Sequence, residues 1–283
     1  MIELIPKNIL EGHEHPIYAL STSQKEHILF SAGGEAAVVE WSLKKMAPIK
    51  VLFKSSGSIY VLYSPTNYPY LISADRNGML SIFDFEKQTL VFQKRVCEAS
   101  IFGLLNIGNV LYFISDQGIL YFFDLDKHEI VHQLSLSTEA LRSISYDQEK
   151  NILYTAGKDR RIFSIHLDTL ELNSFDSTHT LPIFSLAYDS LNNQLLSGSR
   201  DAQLKVWKDG LHENIPAHMF AINDIELMKD APYFATASMD KSIKIWDKKE
   251  LNLLAVSDPI KNTGHTKSVN RLAFTSFENL LIS

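Results

Sequence analysis

Residues 195–207 read LLSGSRDAQLKVW and residues 234–246 read FATASMDKSIKIW, while residues 29–41, LFSAGGEAAVVEW, follow the same plan far away in the chain. In each stretch two short runs rich in apolar residues flank a turn of small and polar residues, and the second run ends in a tryptophan: Trp207, Trp246 and Trp41. Short apolar or alternating runs bounded by Gly, Asp, Asn and Lys have the pattern of strands joined by tight turns, and no helical period competes with it. A histidine stands 28 residues before each tryptophan, at His179, His218 and His13. A hydroxyl follows that histidine by 18 residues, at Ser197, Thr236 and Ser31, and an acidic residue by 22, at Asp201, Asp240 and Glu35. Four residue types held in one register across three segments define a repeat.

Projected onto the rest of the chain, the template finds three weaker copies whose histidine positions hold Ser55, Cys97 and Ser137, and a further copy that begins at His265. The seven positions are spaced by 42, 42, 40, 42, 39 and 47 residues, and all seven positions 18 residues on carry a hydroxyl. A period of about 40–45 residues with four strands in each unit is that of a propeller blade, which must stack on its neighbours to bury its faces. The predicted fold is all-β: a seven-bladed β-propeller with an incomplete seventh blade, in one domain spanning residues 1–283. The seventh copy reaches its hydroxyl at Ser283, the last residue, so its acidic turn, third strand and tryptophan are missing. Either the natural chain is expected to continue, or the edge so exposed can recruit another strand.

The histidines of Gly12-His13, Ala217-His218 and Gly264-His265, together with the closing pairs Trp41-Ser42, Phe83-Asp84, Phe123-Asp124 and Trp246-Asp247, resemble the WD-repeat β-propeller family over essentially the whole chain. The resemblance implies that the histidine, hydroxyl, acidic residue and tryptophan of a blade form a buried hydrogen-bond network. The full set is present at His179/Ser197/Asp201/Trp207 and His218/Thr236/Asp240/Trp246, and with Glu35 in place of aspartate at His13/Ser31/Glu35/Trp41. Ser55, Ser73, Asn77 and Phe83 keep only fragments, and the hairpin ending at Gly118 is shorter. The resemblance also implies that a strand near residues 3–9 closes the last blade, and that partners meet the edge carrying the start of the first strand and the turn between strands two and three. Five residues after the histidine position stand Tyr18, Tyr60, Phe102, Arg142, Phe184 and Asn223; just before the acidic position stand Arg76, Lys158, Arg200 and Met239. Aromatic and arginine side chains dominate binding hot spots, so these ten are the candidate partner-binding residues, and the partner expected is a protein or peptide with acidic and apolar character.

Other chemistries fit less well. Ser, His and Asp together are the parts of a hydrolase, and a propeller enzyme acting at a central channel is the alternative reading. A catalytic set occurs once in a fold, however, whereas this one recurs at a fixed offset beside a tryptophan. No histidine pair makes a recognised metal motif, Gly33-Gly34 reads as a hairpin turn, and no metal or cofactor is expected. Lys plus Arg is 27 against 33 for Asp plus Glu, a net charge of -6, which disfavours a nucleic-acid coat. Cys97 is the single cysteine and reads as a buried small hydrophobe. With no secretory signal and no uninterrupted apolar run of 18 residues, the expectation is a cytoplasmic monomer with no membrane or nucleic-acid partner.

Overall fold

The computed structural model describes residues 4–208, 210–257 and 264–283. Among the described residues, six four-stranded antiparallel sheets follow one another, each a meander in which neighbours in sequence are neighbours in the sheet. Blade 1 comprises Ile17–Thr22, Ile28–Gly33, Ala37–Ser42 and Ala47–Lys54, and blade 2 runs from Ile59–Tyr63 to Thr89–Arg95. Blades 3 to 6 have first strands Ile101–Ile107, Leu141–Asp147, Ile183–Asp189 and Ile222–Leu227, and fourth strands Glu129–Ser135, Leu172–Asp176, Leu211–Pro216 and Leu253–Val256. The described residues divide into two compact units, one within 8–141 and 275–280 holding blades 1 to 3, the other within 4–7, 142–274 and 281–283 holding blades 4 to 6.

Within a blade, burial follows strand position. The second strands Ile28–Gly33 and Gln194–Ser199 are buried throughout and, Gln194 apart, read as apolar and small residues, whereas Leu211–Pro216 is nearly all exposed and half polar. Core clusters draw on successive copies of the repeat. Val61, Ile72, Leu80 and Ile82 of blade 2 pack with Leu104, Leu111, Phe113 and Phe123 of blade 3, and Leu196, Leu204 and Val206 of blade 5 pack with Ile225, Phe234 and Trp246 of blade 6. Burying one such side chain contributes about 1.5–3 kcal/mol, and a lone blade would leave these faces wet.

In the second unit, first strands are also joined by polar bonds. The backbone N–H groups of Leu186 and Tyr188 donate to the hydroxyls of Ser143 and Ser145 at 2.8 and 2.9 Å. Two junctions later, the N–H of Leu272 donates to Asp224 at 2.8 Å, that of Phe274 donates to Glu226 at 3.0 Å, and the Arg271 guanidinium meets Asp224 at 3.0 Å. The corresponding positions of blades 1 to 3 are Ala19 and Ser21, Val61 and Tyr63, and Gly103 and Leu105.

Three expectations are corrected here. The described residues form six blades rather than seven: the last copy contributes only the short strands Ala273–Thr275 and Leu280–Ile282 in a two-stranded sheet, because the sequence supplies only its first two strand segments. Nor do residues 4–9 form a strand. Leu4 packs beside Val269, Leu272 and Leu281. Cys97 is half-buried rather than buried; its thiol donates to the Ala99 carbonyl at 3.5 Å, and burial pushes its pKa up.

Candidate functional site

Each blade has a corner where the loop entering its first strand meets the turn between its second and third. In blades 5 and 6 a chain of side-chain bonds closes that corner. Trp207 Nε1–H donates to Ser197 Oγ at 2.9 Å, that hydroxyl lies 3.0 Å from His179 Nε2, and His179 Nδ1 lies 3.0 Å from the Asp201 carboxylate. In blade 6 the steps are Trp246 to Thr236 at 2.9 Å, Thr236 to His218 at 2.7 Å and His218 to Asp240 at 2.9 Å. Blade 1 repeats the pattern through Trp41, Ser31, His13 and Glu35. A tryptophan N–H only donates and a carboxylate only accepts, so the chain fixes each hydroxyl as donor to Nε2 and each imidazole as donor from Nδ1.

The carboxylate also holds backbone on both sides of the corner, accepting from the N–H of Thr180 at 2.9 Å and of Gln203 at 3.0 Å in blade 5. Burial alone would raise the Asp201 carboxyl, but His179 and these N–H groups outweigh it and hold it well below the usual carboxylate range. Asp240 is held down to about 2 by Ser242, the Met219 N–H and His218 against the same burial, which in turn pushes the His218 imidazole down. Ser197 and Thr236 are fully buried. A hydroxyl sealed under an indole and spending its proton on a structural histidine has no approach for a substrate, so the hydrolase-like constellation is a staple.

The structure separates the ten predicted partner-binding residues into two groups. Tyr18, Tyr60, Phe102, Phe184 and Asn223 are each the extra residue of a bulge on a first strand, where the register slips by one against the second strand. They are half-buried, as is Arg142. In the first unit the rings pack in series, Tyr18 edge-on to Tyr60 at 5.6 Å and Tyr60 stacked on Phe102 at 5.1 Å. Asn223 in the other unit is engaged with Ser268 and the Val269 carbonyl. By contrast Arg76, Lys158, Arg200 and Met239 stand exposed at the corner turns.

Sequence reasoning missed two things. In blade 2 the staple is made by Asp75, two residues before the template position, and its buried carboxylate receives the hydroxyls of Ser55 and Ser56 at 2.9 and 2.7 Å and the N–H groups of Asn77 and Met79. It also missed the residues just after the histidine: Leu181, Met219 and Phe220 are exposed apolar side chains at the corners of blades 5 and 6. Their signal was available as the one or two positions following each template histidine.

Repeated four-stranded meanders with a stapled corner define a β-propeller, and its class is the propeller with histidine-to-tryptophan staples. The family model described as "WD domain, G-beta repeat" matches residues 171–208 and 211–247, which are blades 5 and 6 up to their third strands with the strand preceding them. Blades 5 and 6 are thus WD repeats by that family model. Among similar proteins, U3 small nucleolar RNA-associated protein 7 of Saccharomyces cerevisiae is 22% identical over 239 residues, covering 82% of this chain and 40% of that protein. COMPASS component SWD3 of the same organism is 26% identical over 137 residues, covering 46% of this chain and 43% of that protein. The chain thus spans about two fifths of the length of these relatives. A solved structure titled "Structure of U3-55K" superposes with a TM-score of 0.81 at 19% identity, covering 97% of this chain and 89% of its own, and shares the fold. The cytoplasmic expectation is overturned by these matches: a relative aligned to 82% of the chain is named for a small nucleolar RNA, and the lack of a secretory signal does not distinguish nucleus from cytoplasm.

Proposed function

We propose that this chain is a non-catalytic scaffold, one propeller domain that holds protein partners along the corner-bearing edges of its blades. The observation that carries the reading is the division of labour at the corners of blades 5 and 6: histidine, hydroxyl, carboxylate and tryptophan are turned inward and satisfied, while Arg200 and Met239 stand exposed on the turns they hold, as Arg76 and Lys158 do at the same place in blades 2 and 4. Preorganised turns present side chains with little ordering cost. Three of those four are basic in an acidic chain, which fits partner segments carrying acidic and apolar residues. The half-buried Tyr18, Tyr60, Phe102, Arg142, Phe184 and Asn223 would line the partner side of the first strands or brace it. The relative named for a small nucleolar RNA supports an RNA-containing assembly as the setting, with this chain binding its protein components.

The last copy keeps one step of the staple, His265 Nε2 to Ser283 Oγ at 2.6 Å, which supports reading it as a seventh blade begun. Capture from native cells after nuclease treatment, followed by mass spectrometry, tests the scaffold. The wild type should retain protein partners, and Arg76→Glu/Arg200→Glu should lose at least one at an unchanged melting temperature. Loss of every partner on nuclease treatment, or a variant that retains them all, would overturn the reading.

A further inference from the structure

The corners of blades 5 and 6 form one ledge. Leu181 and Arg200 meet at the first corner, where the Arg200 N–H donates to the Pro182 carbonyl at 2.8 Å and Ser199 Oγ donates to the Leu181 carbonyl at 2.9 Å. Phe220 and Met239 meet at the second in the same way, with the Met239 N–H on the Ala221 carbonyl at 2.9 Å and Ser238 Oγ on the Phe220 carbonyl at 3.2 Å. The His218 N–H donates to Ala202 at 3.2 Å, so the loop carrying Met219 lies against the turn of blade 5. Along this ledge Met219 is 84% exposed, Phe220 58%, Met239 58% and Leu181 42%. Large apolar side chains exposed side by side on a rigid support mark an interaction site, and methionine adapts to varied partner shapes.

Charge identifies the occupant. Arg160, Arg200 and Lys241 are exposed at the corner turns of three successive blades, 4, 5 and 6, and the Ser177 N–H binds the Arg160 carbonyl, joining the blade 4 turn to the approach to blade 5. The carboxylates of the blade 5 and 6 corners, Asp201 and Asp240, are committed to His179 and His218. The ledge therefore offers apolar seats inside a cationic border.

We infer that this ledge seats an acidic protein segment that inserts one or two bulky apolar side chains among Leu181, Met219, Phe220 and Met239 while its carboxylates face Arg160, Arg200 and Lys241. The inference rests on the scaffold reading and sharpens it to one place and one partner chemistry. A single-stranded nucleic acid fits less well: of the four seats only Phe220 is a flat ring on which a base can stack.

Fluorescence anisotropy with the full chain tests it, using a labelled 14-residue peptide of Asp, Glu, Leu and Phe, its Lys-for-acid counterpart, and a 20-nucleotide poly-uridine RNA. The acidic peptide should bind, with affinity falling at least tenfold in Phe220→Ser/Met239→Ser and in Arg200→Glu/Lys241→Glu. Leu211→Ser, exposed on the fourth strand of blade 5, should leave binding unchanged. No binding of the acidic peptide, equal binding of the Lys counterpart, indifference to both ledge variants, or preferential binding of the RNA would each overturn the inference. Native-cell capture keeps the two readings apart: partners retained by the ledge variants leave the scaffold standing and remove the ledge, whereas a wild type without protein partners removes the scaffold itself.

Discussion

Blades 5 and 2 close the same corner by different routes. In blade 5 the carboxylate of Asp201 lies 22 residues after His179 and completes a chain that ends on an indole. In blade 2 there is no histidine and no tryptophan; Asp75 takes up two serine hydroxyls and two backbone N–H groups, and Phe83 fills the tryptophan position with a ring that asks for no partner. What is common is a buried carboxylate that converges on orphan donors of the entering loop and the turn. The physical requirement is closure of those donors, and the residue pattern is one solution to it.

The comparison breaks most sharply at the carboxylates. Asp75→Ala and Asp201→Ala should each cost about 2–3 kcal/mol, since each leaves several buried donors unmatched, while Asn77→Ala, at the position where blade 5 keeps its acid, should cost under about 1 kcal/mol. Denaturant titrations of the three variants measure this. If Asn77→Ala destabilised as much as Asp75→Ala, the substitution of one staple by another would be wrong.

The junctions differ as the corners do. Blade 4 offers two serine hydroxyls to the next first strand and blade 6 two carboxylates, whereas in blade 5 Ala187 has nothing to offer and the Ser185 hydroxyl is buried without a partner. Burial first, then the neighbouring Asp224 charge, raises Glu226 to about 8, against the opposing pull of the Phe274 N–H and Arg271. In the unfolded chain a glutamate ionises near its ordinary value, so the stability associated with Glu226 is fully present below about pH 4.5 and is lost as pH rises through about 8. Glu226→Gln should therefore match the wild type near pH 4 and exceed it by about 1–2 kcal/mol at pH 8.5. Parallel pH profiles for the two proteins would show that Glu226 ionises as an ordinary surface acid.

The repeat made the blades, the three staples and the exposed turns legible, because each is set by residues at constant separation within one copy. Asp75 escaped because the same chemistry enters from another register. The roles of Asp224 and Glu226 escaped because they answer backbone N–H groups 48 residues further on, in the next copy, where a within-repeat template has no column for them. Tyr18, Tyr60 and Phe102 were legible as an aromatic series, yet only coordinates show that each sits on a bulge and that they stack on one another. The count is six rather than seven with an incomplete seventh because a blade needs four strands to cover its faces and the last copy contributes two.

The smallest effect sharpens the comparison furthest, because it concerns a residue type that all seven copies share. Ser197 accepts from Trp207 and donates to His179, so Ser197→Ala strands an indole N–H and an imidazole nitrogen and should cost about 1–2 kcal/mol. Ser73 occupies the same column in blade 2, but its hydroxyl is buried with no hydrogen-bond partner, since Phe83 and Ser55 stand where tryptophan and histidine would be. Ser73→Ala removes an unmatched polar atom and should be neutral or stabilising by a few tenths of a kcal/mol. Melting curves of the two alanine variants side by side decide the matter: equal losses would mean that the shared hydroxyl column has one structural role, whereas a loss confined to Ser197 means that the hydroxyl matters only where an indole and an imidazole claim it.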